Sequence, residues 1–315
     1  MEKKPQEKIE VRTNSARAWF LATRPKTLSA AAVPVILGVA LALRDTSLQG
    51  MSIRWLAAML CLFFAWIMQI DSNLVNDYFD YKHGNDDETR LGPKRACAEG
   101  WVTLPAMQWA IIITTLLGCA IGLPLIIYGG WAMIGVGVLC VLFCFLYTTT
   151  LSYMGLGDLL VLLFFGIVPV CCTYYVVMPE ALQGVSLDVT LASIACGLVV
   201  DTLLVVNNYR DRDNDRQSNK ITLIVRIGER NAEHLYRWLG IVAVVIMMAI
   251  CIWHMATYNE RKPFFVLLAI YVALHQSTYK KLVHIHEGKA LNQVLGLTAR
   301  NIFIFGVTSA LAILL

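Results

Sequence analysis

The residues most able to do chemistry form two clusters of aspartate and asparagine at the ends of apolar segments. In the first cluster the polar residues stand at offsets of 0, 3, 4 and 7: Asn73, Asn76, Asp77 and Asp80. Helical geometry places residues at these offsets on one face. The second cluster repeats offsets of 0, 3 and 7 after one further asparagine: Asn207, then Asn208, Asp211 and Asp215. The spacing predicts two helix ends, each with a stripe of oxygen-bearing side chains.

Both stripes offer oxygen ligands without His or Cys beside them, which is typical of a site for Mg²⁺. Aligned carboxylates repel one another, so a cation must compensate their charge. Mg²⁺ commonly bridges one or two carboxylates to the phosphates of a substrate. Basic residues interleaved with the acids could then bind phosphate oxygens directly: Lys94, Arg95, Arg210, Lys220 and Arg226. We therefore predict a metal and phosphate site that both clusters share.

Two other interpretations of the acidic residues compete with this site. Charged residues in loops are most often solvated surface, and we keep that interpretation for Glu88, Glu99 and Glu229. Intramembrane carboxylates also occur in secondary transporters and Mg²⁺ channels, which place acids near the midplane of several helices. Here the acids cluster at segment ends, where helix capping does not explain them because a carboxylate at a helix C-terminus opposes the helix dipole.

The elements that must carry these clusters are long apolar segments. Of 315 residues, 57% are hydrophobic and 15% charged, with a mean hydropathy of +0.61, whereas a soluble domain carries about 25% charged residues. Nine segments approach the roughly 20 apolar residues of a bilayer crossing: 19–43, 52–79, 105–128, 131–150, 157–179, 189–208, 234–256, 263–280 and 293–315. The predicted fold class is all-α, a polytopic membrane protein with nine transmembrane helices. Residues 1–18 would form an N-terminal segment and 19–315 a single transmembrane domain.

The distribution of Lys and Arg predicts the orientation. With nine crossings, twenty Lys and Arg fall in the N-terminal segment and alternate loops, against four on the other side: Arg44, Arg54, Arg261 and Lys262. This positive-inside bias predicts that the N-terminus and the loops after helices two and six are cytoplasmic, in the inner membrane. The polar first dozen residues predict no cleavable signal peptide. The net charge of +4 is weak support for a nucleic-acid partner, so we expect none and expect the lipid bilayer instead.

The two clusters carry a family resemblance. NDYFDYKHGNDD and NNYRDRDNDRQSNK resemble the two aspartate-rich motifs of the UbiA superfamily of intramembrane aromatic prenyltransferases. The resemblance implies nine helices around a central cavity, with two Mg²⁺ ions on the motifs holding the diphosphate of an isoprenoid donor. Further blocks are most similar to the MenA branch, the 1,4-dihydroxy-2-naphthoate polyprenyltransferases: ATRPKTLSAAAVPVILG at 22–38, RLGPKR at 90–95, GLGDLLVLLFFG at 155–166 and NNYRDRDNDRQSNKITLIVRIG at 207–228.

The resemblance implies roles for the residues of both motifs. Asn76, Asp77 and Asp80 would bind one Mg²⁺, with Asn73 as a helper. Asp211 and Asp215 would bind the other, supported by Asn207 or Asn208. The first motif departs from the pattern NxxxDxxxD because Gly84 occupies its last position, and it stays open whether Asp86 or Asp87 replaces that acid.

The resemblance also implies substrate-binding residues. Those expected to contact the diphosphate are Arg24, Lys26, Lys94, Arg95, Lys220 and Arg300; for Arg300 a structural pair with an acid is an equal alternative. Those expected to line the pocket for the aromatic acceptor are Tyr147, Asp158 and Asp201. Tyr147 could instead belong to an interfacial aromatic belt. Asp201 could instead bond a neighbouring helix, which is the role we expect for Asp71.

The function implied by the resemblance is the transfer of a polyprenyl group from its diphosphate to 1,4-dihydroxy-2-naphthoate. CO₂ and diphosphate would leave, and demethylmenaquinol, a precursor of menaquinone, would form. A related enzyme with another aromatic acceptor, such as 4-hydroxybenzoate, is the alternative. The 4-hydroxybenzoate enzymes carry a YPxxKRxTxxPQ-like block between helices four and five, where this chain reads YTTTLSYMGLGDL. Neither the prenyl chain length nor the oligomeric state follows from the motifs.

Overall fold

Nine long helices make up most of the chain in the computed structural model, which describes residues 11–84, 90–258 and 264–315. We label them α1 to α9, and within the described ranges no strand accompanies them. Their bounds are α1 Pro25–Leu48, α2 Trp55–Lys82, α3 Leu104–Gly129, α4 Ala132–Leu151, α5 Gly157–Val177, α6 Leu187–Gln217, α7 Glu229–Tyr258, α8 Leu268–Ile285 and α9 Leu291–Leu314. The prediction of an all-α architecture is confirmed.

Eight of these nine helices are long and apolar enough to cross a membrane, and α8 is the exception among the described residues. Its sequence carries Lys280 and Lys281 beside His275 and His284, which lowers its mean hydropathy. The predicted segment 263–280 therefore corresponds to a less apolar helix that begins at Leu268, after a single 3₁₀ turn over Phe264–Leu267. The polytopic membrane fold stands, with eight strong candidate spans and a ninth helix packed among them.

The start of the first predicted segment is broken into two helices. A short helix, Ala16–Ala22, comes first, and α1 begins only at Pro25. Between them Arg24 has a left-handed backbone with φ of 50°, which a helix cannot continue through. Pro25 then suits the first helical position, where its missing N–H leaves no bond unmade. The chain thus breaks immediately before Pro25, whereas Pro34 lies inside α1.

The helices α2 and α6 extend beyond their apolar segments, and this extension carries the polar clusters. α2 continues to Lys82 and α6 to Gln217, so both stripes lie on the last turns of regular helices. Among the described spans, α6 is the most enclosed and α4 the least. Of the most apolar 18 residues of each helix, 67% are buried inside the protein in α6 and 6% in α4. Extensive contacts join α6 to α7 and α1 to α9. The bundle therefore surrounds α1 and α6, while α4 exposes most of its apolar surface.

A central cavity of about 580 Å³ lies between the first six helices and has a polar mouth at the ends of α2 and α6. At the opposite end of the bundle, a buried network ties α1 to α5 and α6. There Arg44 Nε donates to Asp45 at 2.7 Å and Arg44 NH2 donates to Asp188 at 2.5 Å. The Tyr174 hydroxyl donates to Asp45 at 2.7 Å. This network fixes the far end of the helices that form the cavity.

Candidate active site

The two polar helix ends converge on the mouth of the cavity. Asn76 and Asp80 of α2 line it beside Asn207 and Asn208 of α6. The loop that follows α2 also packs on α6, because a Cβ atom on Gly92 would lie 2.8 Å from the Arg210 guanidinium. Glycine at position 92 thus permits the close approach. The first and second clusters therefore form one site rather than two.

Within the first cluster, Asn76 and Asp80 face the cavity. The Thr148 hydroxyl of α4 donates a hydrogen bond to the Asn76 side-chain oxygen. The Asp80 carboxylate pairs with Arg95 NH2 at 2.7 Å, and the side chains are 21% and 9% exposed. These are the two motif residues among Asn73, Asn76, Asp77 and Asp80 that line the cavity.

Asp77 and Asn73 have different roles from those expected. Both carboxylate oxygens of Asp77 accept backbone hydrogen bonds, from the N–H of Ala96 at 2.8 Å and of Cys97 at 3.0 Å. The residue is 1% exposed and lies outside the cavity lining. Asp77 therefore holds the loop after α2, and the structure does not place it at the mouth with Asn76 and Asp80.

Asn73 ties α2 to the start of α1. Its amide donates to the Thr23 carbonyl at 3.0 Å and to the Thr27 hydroxyl at 2.9 Å, and its oxygen accepts from Gln69. With 3% exposure and these contacts, Asn73 braces the helix pair and is not placed as a direct metal ligand. Its effect on the site runs through Thr23, the neighbour of Arg24 in the chain.

In the second cluster, a buried arginine organises the acids. Arg210 donates to both oxygens of Asp211 at 2.8 and 2.5 Å, to Asn207 at 2.8 Å and to Asn292 of α9 at 2.9 Å. One turn later, Asp215 pairs with Lys220 at 3.3 Å. Its other oxygen, Oδ2, is buried and finds no hydrogen-bond partner in the described part of the chain. Asp215 Oδ2 is therefore the oxygen of this cluster that is best able to act as a ligand to a cation.

Three of the six expected phosphate ligands line the mouth of the cavity, namely Arg24, Arg95 and Lys220. The other three lie elsewhere. Lys26 is exposed outside the cavity lining. Lys94 points away to Glu99 at 2.5 Å, with its side chain 65% exposed. Arg300 is exposed on α9 and bonds its neighbour Asn301. The structure thus does not bring these three side chains to the mouth, because a helix or loop presents consecutive side chains in different directions.

Arg24 is held as an anion-binding group. Its NH2 nitrogen is buried and has no hydrogen-bond partner among the residues that the structure describes. Burial first, and then the nearby positive charge of Arg95, lower the pKa of Arg24 to about 9. A guanidinium that is desolvated and crowded by like charge gains stability when an anion binds it. The left-handed turn at Arg24 therefore places at the cavity mouth a guanidinium whose NH2 nitrogen has no hydrogen-bond partner among the described residues.

The expected acceptor residues lie deeper, where α4, α5 and α6 meet. Tyr147 and Asp158 line the cavity, while Asp201 is 5% exposed on α6 and lies outside the lining. Asp158 Oδ1 and Asp201 Oδ1 are both buried without a hydrogen-bond partner in the described ranges. The carboxylates of Asp158, Asp201 and Asp80 all act electrostatically on Tyr147. The structure thus brings the three residues close to the polar mouth but does not place Asp201 in direct contact with the cavity.

Asp71 behaves as expected for a helix-to-helix contact. It is fully buried, and its two oxygens accept from the hydroxyls of Thr114 at 2.5 Å and Thr115 at 2.9 Å. Both threonines lie on α3. The alternative acids Asp86 and Asp87 fall outside the described residues.

Sequence reasoning missed three residues that build the mouth. Arg90 lines the cavity from the loop after α2, within the RLGPKR block that was noted for other reasons. Thr148 bonds Asn76, and Asn292 both accepts from Arg210 and donates to the Leu91 carbonyl at 2.8 Å. The sequence could have pointed to Arg90, since it lies five residues before Arg95 in the same block. Thr148 and Asn292 had none, because their partners lie on distant segments.

Comparison with known proteins shows the family to which the chain is similar. Residues 31–308 match the family model described as the UbiA prenyltransferase family. Over 281 residues the chain is 33% identical to the 1,4-dihydroxy-2-naphthoate octaprenyltransferase of Escherichia coli (strain K12), with 86% of this chain and 87% of the relative covered. The chain belongs to the UbiA prenyltransferase family. This membership argues against the transporter and channel alternatives.

Solved structures of UbiA family members share the fold. The apo UbiA homologue of Aeropyrum pernix K1 superposes with a TM-score of 0.65 at 16% identity, covering 89% of this chain and 96% of that one. A homologue from Archaeoglobus fulgidus, solved bound to DMAPP and Mg²⁺, gives 0.58 at 12% identity, covering 93% and 99%. At such identities the likeness establishes the fold and leaves the chemistry of this chain to its own residues.

The residues present at the mouth fit a hard divalent cation. All donors there are oxygens, from carboxylates and side-chain amides, which is the ligand set that Mg²⁺ prefers. The unpartnered Asp215 Oδ2 is buried at the end of α6, where a cation would satisfy it. The described residues that offer such oxygens are Asn76, Asp80, Asn207, Asn208, Asp211 and Asp215.

Proposed function

We propose that this UbiA family member transfers a polyprenyl group from polyprenyl diphosphate to 1,4-dihydroxy-2-naphthoate. CO₂ and diphosphate are released and demethylmenaquinol forms. The observation that carries the proposal is a long apolar cavity whose polar mouth joins two acidic helix ends and four basic side chains. The acceptor is inferred from the naphthoate named for the Escherichia coli relative, which matches along most of both chains.

The donor's diphosphate belongs at the mouth. Arg24, Arg95 and Lys220 surround it from three segments, and Arg90 adds a fourth cation, the third guanidinium. Arginine forks bind phosphate oxygens through paired hydrogen bonds. These side chains would hold the leaving group in place and stabilise the negative charge that grows on it as the allylic C–O bond breaks.

Two Mg²⁺ ions are proposed on the acidic helix ends. Asn76 and Asp80 would hold one, and Asp211 and Asp215, with Asn207 or Asn208, the other. When bound, Mg²⁺ supplies Lewis-acid stabilisation of the leaving diphosphate. The protein's part is to keep these oxygens at two helix ends that border the same cavity mouth, so that the ligands are in position before the donor binds.

The apolar part of the cavity shields the reaction from water. Below the mouth its walls are mainly side chains such as Phe64, Phe143, Val141, Phe164 and Phe165. Loss of the diphosphate leaves an electron-poor allylic carbon, which water would otherwise trap. The ring carbon of the naphthoate that bears the carboxylate instead forms the new C–C bond, and the carboxylate departs as CO₂ with its bonding electrons returning to the ring.

Tyr147 and Asp158 are proposed to orient the acceptor. Both line the cavity just below the mouth, where a flat ring must lie to reach the allylic carbon. The unpartnered Asp158 Oδ1 can accept a hydrogen bond from an acceptor hydroxyl. Asp201 lies behind Asp158 on α6 and would act through it.

The surroundings of the enzyme are proposed to be the inner membrane, with the mouth at the cytoplasmic face. The supporting argument is the excess of Lys and Arg in the loops on the side of the mouth. A polyprenyl tail partitions into lipid at about 0.8 kcal/mol for each buried CH₂ group, which suits a membrane-embedded active site.

The test is an assay of membranes that contain the protein, with Mg²⁺, a polyprenyl diphosphate and each candidate acceptor in turn. Mass spectrometry should find a prenylated, decarboxylated naphthoquinol, and the double variant Asp80→Ala/Asp211→Ala should abolish it. Transfer to 4-hydroxybenzoate alone would move the acceptor assignment to the alternative. Naphthoate prenylation that persists in the double variant would refute the proposed site.

A further inference from the structure

The two acidic helix ends border one cavity mouth, yet the helices that carry them do not pack side by side. Among the described residues, α2 packs mainly on α1, α3, α4 and α5, whereas α6 packs mainly on α1, α5, α7 and α9. Other segments must therefore hold the two sets of proposed metal ligands at a fixed separation. The loop after α2 and the first turn of α9 meet α6 at this place.

Asn292, in the first turn of α9, joins these segments through one side-chain amide. Its oxygen accepts a hydrogen bond from Arg210 Nη1 of α6 at 2.9 Å, and its nitrogen donates to the Leu91 carbonyl at 2.8 Å. A guanidinium can only donate and a carbonyl can only accept, so both partners require the same orientation of the amide. The side chain lies outside the cavity lining. Asn292 therefore connects the loop after α2 to α6 without occupying the space of a ligand.

The loop that Asn292 holds brings positive charge close to α6. Leu91 follows Arg90, which lines the cavity mouth. A Cβ atom on Gly92 would lie 2.8 Å from Arg210 Nη2 and 3.1 Å from Arg90 Nη2. The guanidinium groups of the loop and of α6 thus lie close together, and like charges repel one another. The neutral amide of Asn292 holds the loop on α6 against that repulsion.

Asn292 is also the partner that Arg210 would keep when a metal binds. Arg210 donates to three side chains in the described part of the chain, namely Asn207, Asp211 and Asn292. Asn207 and Asp211 are proposed metal ligands, so a cation competes with Arg210 for their oxygens. Asn292 lies outside that competition. Through it the loop would stay on α6 while the oxygens of Asp211 pass from the arginine to the metal.

We propose that Asn292 is a positioning residue that couples the binding of Mg²⁺ to the binding of the donor's diphosphate. The inference rests on the proposed function, because it takes these two ligands as the occupants of the mouth. The metal binds the ends of α2 and α6, and the diphosphate binds cations that include those of the loop. Asn292 keeps the loop and α6 in register, so whichever ligand enters first finds the groups for the other in place.

The experiment measures the Kd of a non-cleavable prenyl diphosphate analogue by calorimetry, in enzyme in lipid nanodiscs, once with Mg²⁺ and once with chelator. The ratio of the two Kd values reports the coupling. Asn292→Leu keeps the branched shape of the side chain and removes both hydrogen bonds. It should lower the ratio about tenfold, the factor expected for the loss of one hydrogen bond to a charged group. Asn292→Gln offers the same donor and acceptor on a longer side chain and should retain most of the coupling.

The matched control is Gln293→Leu, which changes the exposed side chain of the next residue in α9 and should leave the ratio unchanged. Gly92→Ala tests the same connection from the loop. Its added methyl group would meet Arg210 Nη2 at 2.8 Å, so it should lower the ratio as well. Because this change lies in a loop, it tests the inference even where Asn292→Leu does not fold.

An Asn292→Leu or Gly92→Ala enzyme with the wild-type ratio overturns the inference. A ratio that falls as far in Asn292→Gln as in Asn292→Leu also overturns it, because the side chain then matters for its fit and not for its hydrogen bonds. A wild type that forms prenylated product without any gain in affinity from Mg²⁺ overturns this inference alone. A wild type that forms no product with any acceptor refutes the proposed function, and the ratio of Kd values still tests the role of Asn292.

Discussion

Replacing Arg95 by glutamine separates two opposing contributions of this side chain to the active site. Arg95 pairs with Asp80 at 2.7 Å. Asp80 is a proposed metal ligand and Arg95 is a proposed diphosphate ligand. In the structure the charges of these two side chains neutralise each other. Arg210 with Asp211 and Lys220 with Asp215 repeat the pattern. Metal and diphosphate must therefore enter together, each taking one member of these pairs.

The size of the effect follows from the buried pair. The two side chains are 9% and 21% exposed, so water replaces the lost interaction poorly. A hydrogen bond to a charged group contributes about 1.5–3 kcal/mol, or about 10- to 150-fold in an equilibrium constant. Arg95→Gln should tighten the binding of Mg²⁺ alone by about that factor, because Asp80 is released. It should weaken binding of a prenyl diphosphate by a similar factor.

The assay is isothermal titration calorimetry of the purified enzyme, with Mg²⁺ alone and with a non-cleavable prenyl diphosphate analogue in the presence of chelator. Lys94→Gln is the matched control, since it removes the same charge from the adjacent residue. Lys94 is paired with Glu99 outside the cavity, so both affinities should change less than twofold.

The directions of the two changes in affinity show whether Asp80 and Arg95 exchange partners on ligand binding. If Arg95→Gln weakens both ligands together, Arg95 acts as a structural brace and the reasoning about exchanged partners is wrong. Equal changes in Lys94→Gln would attribute the effect to net charge at this end of the bundle instead of to the specific pair.

Three further predictions follow from single side chains. Asp77→Ala should lower the Tm in a thermal-unfolding assay, because two buried backbone N–H groups lose their acceptor. Each loss costs about 1–3 kcal/mol. A Tm equal to that of the wild type would contradict this role. Arg44→Met should destabilise the protein by about 3 kcal/mol, since it leaves Asp45 and Asp188 without their cation; chemical unfolding of the purified protein measures it. Arg300→Gln should leave the KM for the prenyl diphosphate unchanged in the transfer assay, and a KM raised tenfold would return Arg300 to the diphosphate site.

The local features of the fold were open to prediction from the sequence. Apolar segment lengths indicated the long helices. The least accurate boundaries lie where polar residues continue a helix past its apolar segment, as in α6, which runs to Gln217. Helix formation there depends on backbone bonds and packing against α7 rather than on hydropathy, so the apolar pattern underestimates its length.

The sequence by itself determined that two acidic stripes terminate membrane helices and that basic residues accompany them, because helical period and hydropathy are local properties. Only the tertiary structure decided which side of each stripe faces the ligand. Asp77 and Asp80 lie on the same face of α2, yet the loop after α2 folds back and occupies Asp77, while Asp80 stays at the cavity mouth. The tertiary structure also decided which basic side chains reach the site. Arg95 and Lys94 are adjacent in sequence, yet they point to different partners. Such choices depend on contacts between segments far apart in the chain, which no local pattern encodes.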